Sequence, residues 1–251
     1  MQTNQKIVLF VVTVSLVLIP MGQMTMVFAE KQSDHNMAKN NSLNSKTTKI
    51  IKWCNILGLS PKANLSNCYV HFLSIHDKNL AGSNLSGSQF KNADLFNVNL
   101  SNANLQNVNL RGAVIANSNL SGADLRGADL RHTNFYHSNL EGADLRGAKI
   151  SGSTLPSVNF HNANLQGVIF SHSYTEASNF QNADLEGADL SLADLMGADF
   201  TGANMQNADL HNSDLTGATL AEANLLGANI GGLETAGADV TCYGSEICSK
   251  E

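Results

Sequence analysis

Positive charge is almost absent from the second half of this chain. Residues 150–251 contain one lysine and no arginine against 13 aspartates and glutamates, whereas residues 1–149 contain 14 lysines and arginines against 8 acids. The net charge of −6 is therefore divided into +6 and −12. Such a field can steer a charged partner, but it offers a poor continuous track for nucleic-acid phosphates. Nucleic acid is accordingly not predicted as a partner.

Sequence signatures of catalysis are also missing. The chain has no recognised nucleophile motif and no phosphate-binding loop, and His71 and His76 lie near Cys68 without the spacing of a zinc site. Catalysis requires polar groups that converge in a cleft. We therefore predict that the protein is not an enzyme and that it binds no cofactor, metal or small-molecule substrate.

What the sequence does contain is a five-residue repeat that runs from Lys78 to Cys242 without insertion or deletion. In its 33 quintets, with multiples of five at the centre, the centre is Leu, Phe, Ile, Met or Val in 31, Thr175 and Thr235 being the exceptions. The residue two before the centre is Ala, Ser, Val or Thr in 31, the residue between them is Asn or Asp in 25, and the last residue is Gly or Asn in 25. One large and one small side chain per quintet should therefore point inward, and Gly and Asn, which tolerate positive φ, should form a turn.

A period of five matches neither a helix nor a strand, and a fixed period indicates a solenoid. Quintets such as Ala123-Asp124-Leu125-Arg126-Gly127 resemble those of the pentapeptide-repeat family. This resemblance implies an all-β fold, a right-handed quadrilateral β-helix with four quintets per coil, in which residues twenty apart stack on one face. Since Ala63-Asn64-Leu65 also fits the register, residues 63–242 would form about nine coils. The interior is expected to hold ladders of large side chains such as Phe160, Phe180 and Phe200.

Residues 1–29 have the features of a secretory signal peptide. A lysine precedes the apolar run Ile7–Ile19, and Val27-Phe28-Ala29 offers small residues for a cleavage site. The exported chain would begin at Glu30 and would be secreted, lie at the cell surface or occupy a periplasm-like compartment. The alternative is an uncleaved membrane anchor, because residues 7–29 carry no charge and are just long enough to span a bilayer.

The segments that flank the repeat are predicted to link and cap it. Residues 30–45 are polar and are expected to be a disordered linker. Residues 46–62 have apolar side chains at helical spacing and predict a short N-terminal capping helix, stopped by Gly58 and Pro61. Residues 243–251 would form a C-terminal tail or cap. A β-helix needs such caps because its end coils offer unpaired strand groups to other chains.

The four cysteines lie at the two margins of the repeat, Cys54 and Cys68 at its start and Cys242 and Cys248 at its end. Export would place them in an oxidising compartment, where two disulfides are expected. Three pairings are possible. We predict Cys54–Cys68 and Cys242–Cys248, because each pair would hold one terminus to its nearest coil.

Stacking at intervals of twenty residues predicts three surface features. The first is a pair of basic columns, one of Lys91, Arg111 and Arg131 and one of Arg126 and Arg146. The second is an acidic ring within one coil, formed by Asp184, Asp189, Asp194 and Asp199. The third is one face of the β-helix, formed by the quintets centred on residues 95 to 195 at steps of twenty. This face, called the apolar face below, exposes Phe96, Val114, Tyr136, Pro156, Tyr174 and Met196.

Contiguous exposed apolar surface marks interaction sites, so we predict that the apolar face binds a protein partner or a second copy of the chain. The alternative is that these side chains only cover the weak centre at Thr175 and its neighbours. The sequence thus predicts an exported, non-catalytic scaffold or protein-interaction module that uses the flat faces of a β-helix.

The family resemblance implies a second possible function. Some cytoplasmic pentapeptide-repeat proteins are acidic mimics of duplex DNA that bind type II topoisomerases such as gyrase, and the acidic ring suits such a role. The signal peptide, the cysteines and the basic columns argue against it, because a DNA mimic should be acidic along most of its length.

Cell fractionation followed by N-terminal sequencing tests the predicted location. Because the signal peptide should be cleaved after Ala29, we expect the protein outside the cytoplasm with Glu30 as its first residue. A cytosolic chain that retains Met1 would contradict export, weaken the disulfide prediction and favour the topoisomerase alternative.

Overall fold

Each quintet of this chain folds as one extended residue pair and one turn, and four quintets complete a coil. The computed structural model describes residues 59–69 and 74–248, all within the unit Ile51–Glu251. In these two ranges the secondary structure consists of turns and isolated parallel β-bridges, without a helix or a longer strand. The bridges join residues twenty apart from Asn64↔Asn84 to Thr219↔Asp239, as the predicted β-helix requires, and a last bridge joins Asn224 to Tyr243.

The quintet Ala103–Asn107 shows the five environments of the repeat. Ala103, the small position, and Leu105, the centre, are buried. Asn104, the ladder position, bridges Asn84 in the coil before and Asp124 in the coil after. The last two residues are the first and second turn positions, and both reach the surface. The predicted inward pair is buried in every quintet from Ser83 to Leu225, whereas Lys78 is exposed and the pairs of the last three quintets are partly buried.

All five backbone N–H groups of this quintet have an acceptor. The N–H of Ala103 closes a turn onto the carbonyl of Leu100, and that of Asn104 donates to the preceding coil. The N–H groups of Leu105 and Asn107 donate to the following coil at N···O distances of 2.7 and 2.9 Å. The fifth, that of Gln106, donates to the side-chain Oδ1 of Asn104 at 3.1 Å. Since unpaired backbone groups are costly, complete pairing explains how short bridges can support the coil.

The side chain at the ladder position therefore has a structural role. Wherever Asn or Asp occupies that position between residues 78 and 242, its Oδ1 accepts the first-turn N–H, as in Ser101 to Asn99 and Thr216 to Asp214. No role for this asparagine and aspartate preference was predicted from the sequence, although such a preference is typical of side chains that bond a nearby turn N–H. The quintet of Pro156 shows the converse case. Proline at the first turn position has no N–H that needs an acceptor, and the ladder residue of this quintet is Thr154 instead of asparagine or aspartate.

The second turn position adopts positive φ, as predicted from its glycines and asparagines. Gly127 has φ 66° and Asn92 has φ 56°. Other residues are held there too, among them His132, Leu192 and Glu222, with φ between 56° and 59°. A left-handed conformation costs such a residue about 1 kcal/mol, so the surrounding hydrogen bonds impose the turn even where the residue opposes it.

The core is a stack of large side chains, and the predicted phenylalanine ladder is confirmed. The rings of Phe160, Phe180 and Phe200 are fully buried and stack with centroid separations of 4.9 and 4.8 Å. Phe170 packs edge-on against Phe180 at 6.0 Å. The weak centre Thr175 is also fully buried, and its hydroxyl donates to the carbonyl of Asp194 at 3.0 Å. One polar centre is therefore accommodated without an unpaired group.

At its C-terminal end, beyond the predicted repeat, the ladder departs from the period of twenty residues. The last bridge uses Tyr243 where a strict period would use Gly244. The step is one residue shorter because the N–H of Cys242 bonds the carbonyl of Val240 in a tight three-residue turn. A Cys242–Cys248 disulfide, with Cα atoms 4.9 Å apart, follows this turn.

The N-terminal predictions fall mostly outside the described residues. This applies to the signal peptide 1–29, the linker 30–45 and residues 46–58 of the capping helix. Leu59 packs against the core, and Cys68 is buried and disulfide-bonded. Because Cys54 also lies outside the described residues, the Cys54–Cys68 pair stays a prediction. None of the described residues belongs to a helix long and apolar enough to cross a membrane.

Replacing Phe180 by alanine tests the phenylalanine ladder. The substitution removes the middle ring of the stack, so we expect the free energy of unfolding to fall by about 3–5 kcal/mol. Guanidinium denaturation followed by circular dichroism measures it. Tyr174→Ala, which removes an exposed ring, is the control and should change stability by about 0.5 kcal/mol or less. Equal losses in the two variants would contradict this account of the core.

Candidate interaction surfaces

The apolar face consists of two adjacent columns. The ladder residues Val114 and Tyr174 belong to one column of bridges, which runs from Ser74 to Glu234 in steps of twenty. The first-turn residues form the second column, which contains Phe96, Tyr136, Pro156 and Met196. Four of the eight exposed large apolar side chains in the described residues lie on this face: Phe96, Val114, Tyr136 and Tyr174. Pro156 and Met196 are half-buried.

Polar rings and carboxylates adjoin the aromatic side chains of this face. The Tyr136 ring lies 3.9 Å from the ring of His137, and the Phe96 ring meets His76 edge-on at 6.0 Å. Nε2 of His76 lies 2.7 Å from Oδ2 of Asp94. Tyr174 is the most exposed of the set, with 58% of its surface accessible. The face is therefore an aromatic surface edged with polar groups.

In the basic columns, three arginines form ion pairs with aspartates of their own quintets. Within each of three quintets the arginine at the first turn position folds back onto the aspartate at the ladder position. In each case a terminal guanidinium nitrogen lies 2.7 Å from a carboxylate oxygen: Arg126 on Asp124, Arg131 on Asp129 and Arg146 on Asp144. The Nε atom of each arginine donates to the other oxygen, so the pairs are bidentate. Counting charges along the sequence missed this, because the turn brings residues two apart together.

The pairs change the acidity of their carboxylates. The hydrogen bond from Arg126 lowers the pKa of Asp124 to about 2, against partial desolvation, which raises it. Arg131 and Arg146 lower the pKa of Asp129 and of Asp144 in the same way. Arg126, Arg131 and Arg146 are therefore held in surface ion pairs, which lowers the free positive charge of the columns.

The acidic ring does not form a convergent site. Its four aspartates are ladder residues on the four different faces of one coil. Asp184 accepts from the side chains of Gln166 and Asn204. Burial raises the pKa of Asp199, but hydrogen bonds from Thr201 and Gln181 outweigh it and the net pKa is lowered. Among the described residues no group of three or more His, Cys, Asp and Glu side chains could hold a metal ion.

The described surfaces are thus flat, regular arrays whose polar groups are largely satisfied within their own coils. Such surfaces present area and charge to a macromolecule, and they do not converge on one reacting atom.

Comparison with known proteins gives a family match. The sequence matches the family profile for pentapeptide repeats in eight copies, over residues 63–102, 79–112, 109–147, 143–174, 178–217 and 206–232. A comparison with curated protein sequences finds no match.

Solved structures of pentapeptide repeat proteins are among the similar folds. HetL from the cyanobacterium Nostoc sp. strain PCC 7120, involved in heterocyst differentiation regulation, is 27% identical, with 74% of this chain and 92% of HetL covered and a TM-score of 0.32. A pentapeptide repeat protein from the Arabidopsis thaliana thylakoid lumen is 33% identical over 44% of this chain and 71% of its own, with a TM-score of 0.32. Full-length QnrB1, a plasmid-mediated fluoroquinolone resistance protein, is 19% identical over 68% and 92%, with a TM-score of 0.47.

Replacing Arg126 by glutamine tests the ion pairs. Without the guanidinium, the pKa of Asp124 should rise from about 2 toward its ordinary value of 3.8, which a pH titration of carboxyl-carbon chemical shifts measures. Because the folded-state pKa is lowered, the wild-type pair stabilises the fold above the ordinary pKa, and this contribution is lost as the pH falls toward 2. The variant should lack this loss.

Arg111→Gln is the matched control, since the ladder residue of its quintet is the neutral Asn109. It should leave the pKa of Asp124 unchanged. An Asp124 pKa that stays low in the Arg126 variant would show that the arginine is not its cause.

Proposed function

The chain belongs to the pentapeptide-repeat family, whose members fold as right-handed quadrilateral β-helices, and from this premise we propose that it is an exported, non-catalytic protein-interaction module. The observation that carries this proposal is the apolar face, where Phe96, Val114, Tyr136 and Tyr174 are exposed on one side of successive coils. Exposed aromatic side chains are enriched at the centres of protein interfaces.

The construction of the coils supports binding through this face. Each ladder residue is tied to the coil before and after it, as Tyr174 is to Thr154 and Asp194. The backbone beneath the aromatic side chains is therefore ordered before a partner arrives. A preordered surface loses less conformational entropy on binding, so more of the contact energy remains as affinity.

Export is part of the proposal. Cleavage before Glu30 would release the β-helix, with its helical cap over residues 46–58 and its nine or so coils, into an oxidising compartment. The Cys242–Cys248 disulfide and the bonded state of Cys68 support this, because disulfides persist in such compartments and are rare in the cytosol. A membrane anchor formed by residues 7–29 would keep the same domain at the cell surface.

A second candidate function rests on the acidic half of the domain. Residues 150–248 contain no lysine or arginine, as a mimic of duplex DNA would require. The paired arginines of the first half, Arg126, Arg131 and Arg146, interrupt this charge pattern. A gyrase supercoiling assay separates the two functions: inhibition by the purified chain supports the mimic, and full activity in its presence contradicts it.

Replacing both Tyr136 and Tyr174 by serine tests the proposed interaction face. Because exposed aromatic side chains contribute strongly to interfaces, the variant should retain at least about fivefold less partner from a native extract. If the partner is a second copy, light scattering should show a fall in molecular mass.

The matched control replaces Ile169 and Leu192, two exposed apolar residues of the neighbouring face, by serine. It should behave like the wild type in both measurements. Wild-type binding and mass in the double tyrosine variant would reject the proposal.

A further inference from the structure

The apolar face is also the most acidic face of the β-helix. On this side of the β-helix the described quintets continue beyond the apolar face to the centres 75, 215 and 235, and from 75 to 235 they contain no lysine or arginine. Each of the other three faces holds at least one, for example Lys78, Arg126 and Lys149. This side carries six acids: Asp77, Asp94, Glu176, Asp194, Asp214 and Glu234. Exposed aromatic side chains and unbalanced negative charge therefore coincide on one side of the coils.

Three of these acids occupy consecutive positions of one ladder. Asp194 bridges Asp214, and Asp214 bridges Glu234, so the carboxylates follow one another at about 4.8 Å per coil. No other ladder of the described residues has three acids in a row. Adjacent like charges repel, so a column of this kind gains free energy when a cation neutralises it.

Neighbouring acids also occur as pairs on two other ladders. Asp189 and Asp209 have hydrogen-bond partners, Ser191 and His211, whereas Asp124 and Asp144 are compensated by arginines. In contrast, Asp194 and Asp214 accept from the backbone N–H groups of their own quintets, at 3.2 and 2.8 Å. Their charge is not matched by a lysine or arginine, because residues 150–248 contain neither.

The acidic column is continuous with the aromatic part of the face. Tyr174 is the ladder residue directly before Asp194, and Tyr136 lies two coils before Tyr174 on the same face. From the coil of Tyr136 to that of Glu234 is a rise of five coils, about 24 Å. An extended chain of about seven residues has this length.

We propose that this face binds an extended, basic segment of a partner protein along the axis of the β-helix. The proposal rests on the proposed function and specifies its partner. An apolar or aromatic residue of the segment contacts Tyr136 and Tyr174, and its lysine or arginine side chains contact Asp194, Asp214 and Glu234. A cation beside Tyr174 gains from both the ring and the neighbouring carboxylate.

Charge selects this occupant over a second copy of the chain. Two apolar faces placed against each other would bring acidic surface against acidic surface without a lysine or arginine on either side. Juxtaposed like charges disfavour association. A basic segment instead matches both properties of the face.

Fluorescence anisotropy with the full chain tests this proposal. The probe is a fluorescein-labelled octapeptide with an N-terminal tryptophan followed by alternating threonine and lysine, and its counterpart carries glutamate for lysine. We expect the lysine peptide alone to bind, and to bind more weakly as salt is added. The triple variant Asp194→Asn, Asp214→Asn, Glu234→Gln should lose about tenfold in affinity, and Tyr174→Ser should also weaken binding.

A second triple variant, Asp184→Asn, Asp189→Asn, Asp239→Asn, removes the same charge from the other three faces and should change affinity by about twofold or less. Both sets should fold, which circular dichroism checks, since asparagine and glutamine occupy ladder positions elsewhere, as at Asn204 and Gln89. Equal losses in the two triple variants, or no binding of the lysine peptide, would overturn the proposal.

Two further results would overturn it while leaving the interaction module intact. In the first, a partner retained from native extract is lost by the double tyrosine variant and kept by the first triple variant. In the second, sedimentation shows that the wild type self-associates and that the double tyrosine variant is monomeric. The occupant of the face would then be a second copy of the chain.

Discussion

The hydrogen bond from the first-turn N–H to the ladder side chain is the interaction on which the rest of this structure depends. It completes the pairing of the five N–H groups in a regular quintet, the others going to the turn and to the neighbouring coils, as in Ala103–Asn107. A bridge of single residues is too short to stabilise a sheet alone. Because each turn is held by a side chain as well as by backbone, the chain can change direction every five residues without leaving buried groups unpaired.

This constraint divides the side chains between packing and surface. Centres and small positions serve the core, where Phe160, Phe180 and Phe200 stack, and the buried hydroxyl of Thr175 finds an acceptor in the next coil. Ladder and turn positions face outward, and only some of them serve the turn. Where the ladder residue is not asparagine or aspartate, as at Val114 and Tyr174, the outward side chain is released from that role. The apolar face is built largely from such departures and from first-turn residues.

The sequence predicted the features that depend on the repeat itself and missed those that depend on distances between side chains. The burial of Leu105 and the positive φ of Asn92 follow from a pattern within five residues. The stacking of Tyr174 on Asp194 follows from the same pattern once four quintets are taken as one coil of twenty residues. The pairing of Arg126 with Asp124 did not follow from it, because the distance between side chains two residues apart depends on the turn conformation. The early step to Tyr243 lies beyond the predicted repeat, and a strict period cannot anticipate a tight turn at its own end.

The sequence by itself determined the solenoid, the inward residues and the side on which each outward residue lies, since all three are consequences of one unbroken period. Only the tertiary structure decided which of the outward charges are free. It neutralised three arginines of the basic columns by folding them onto neighbouring aspartates, and it left Asp194, Asp214 and Glu234 in consecutive coils beside Tyr174. The physical reason is that periodicity specifies position, whereas the free charge of a surface depends on distances of a few ångströms between side chains.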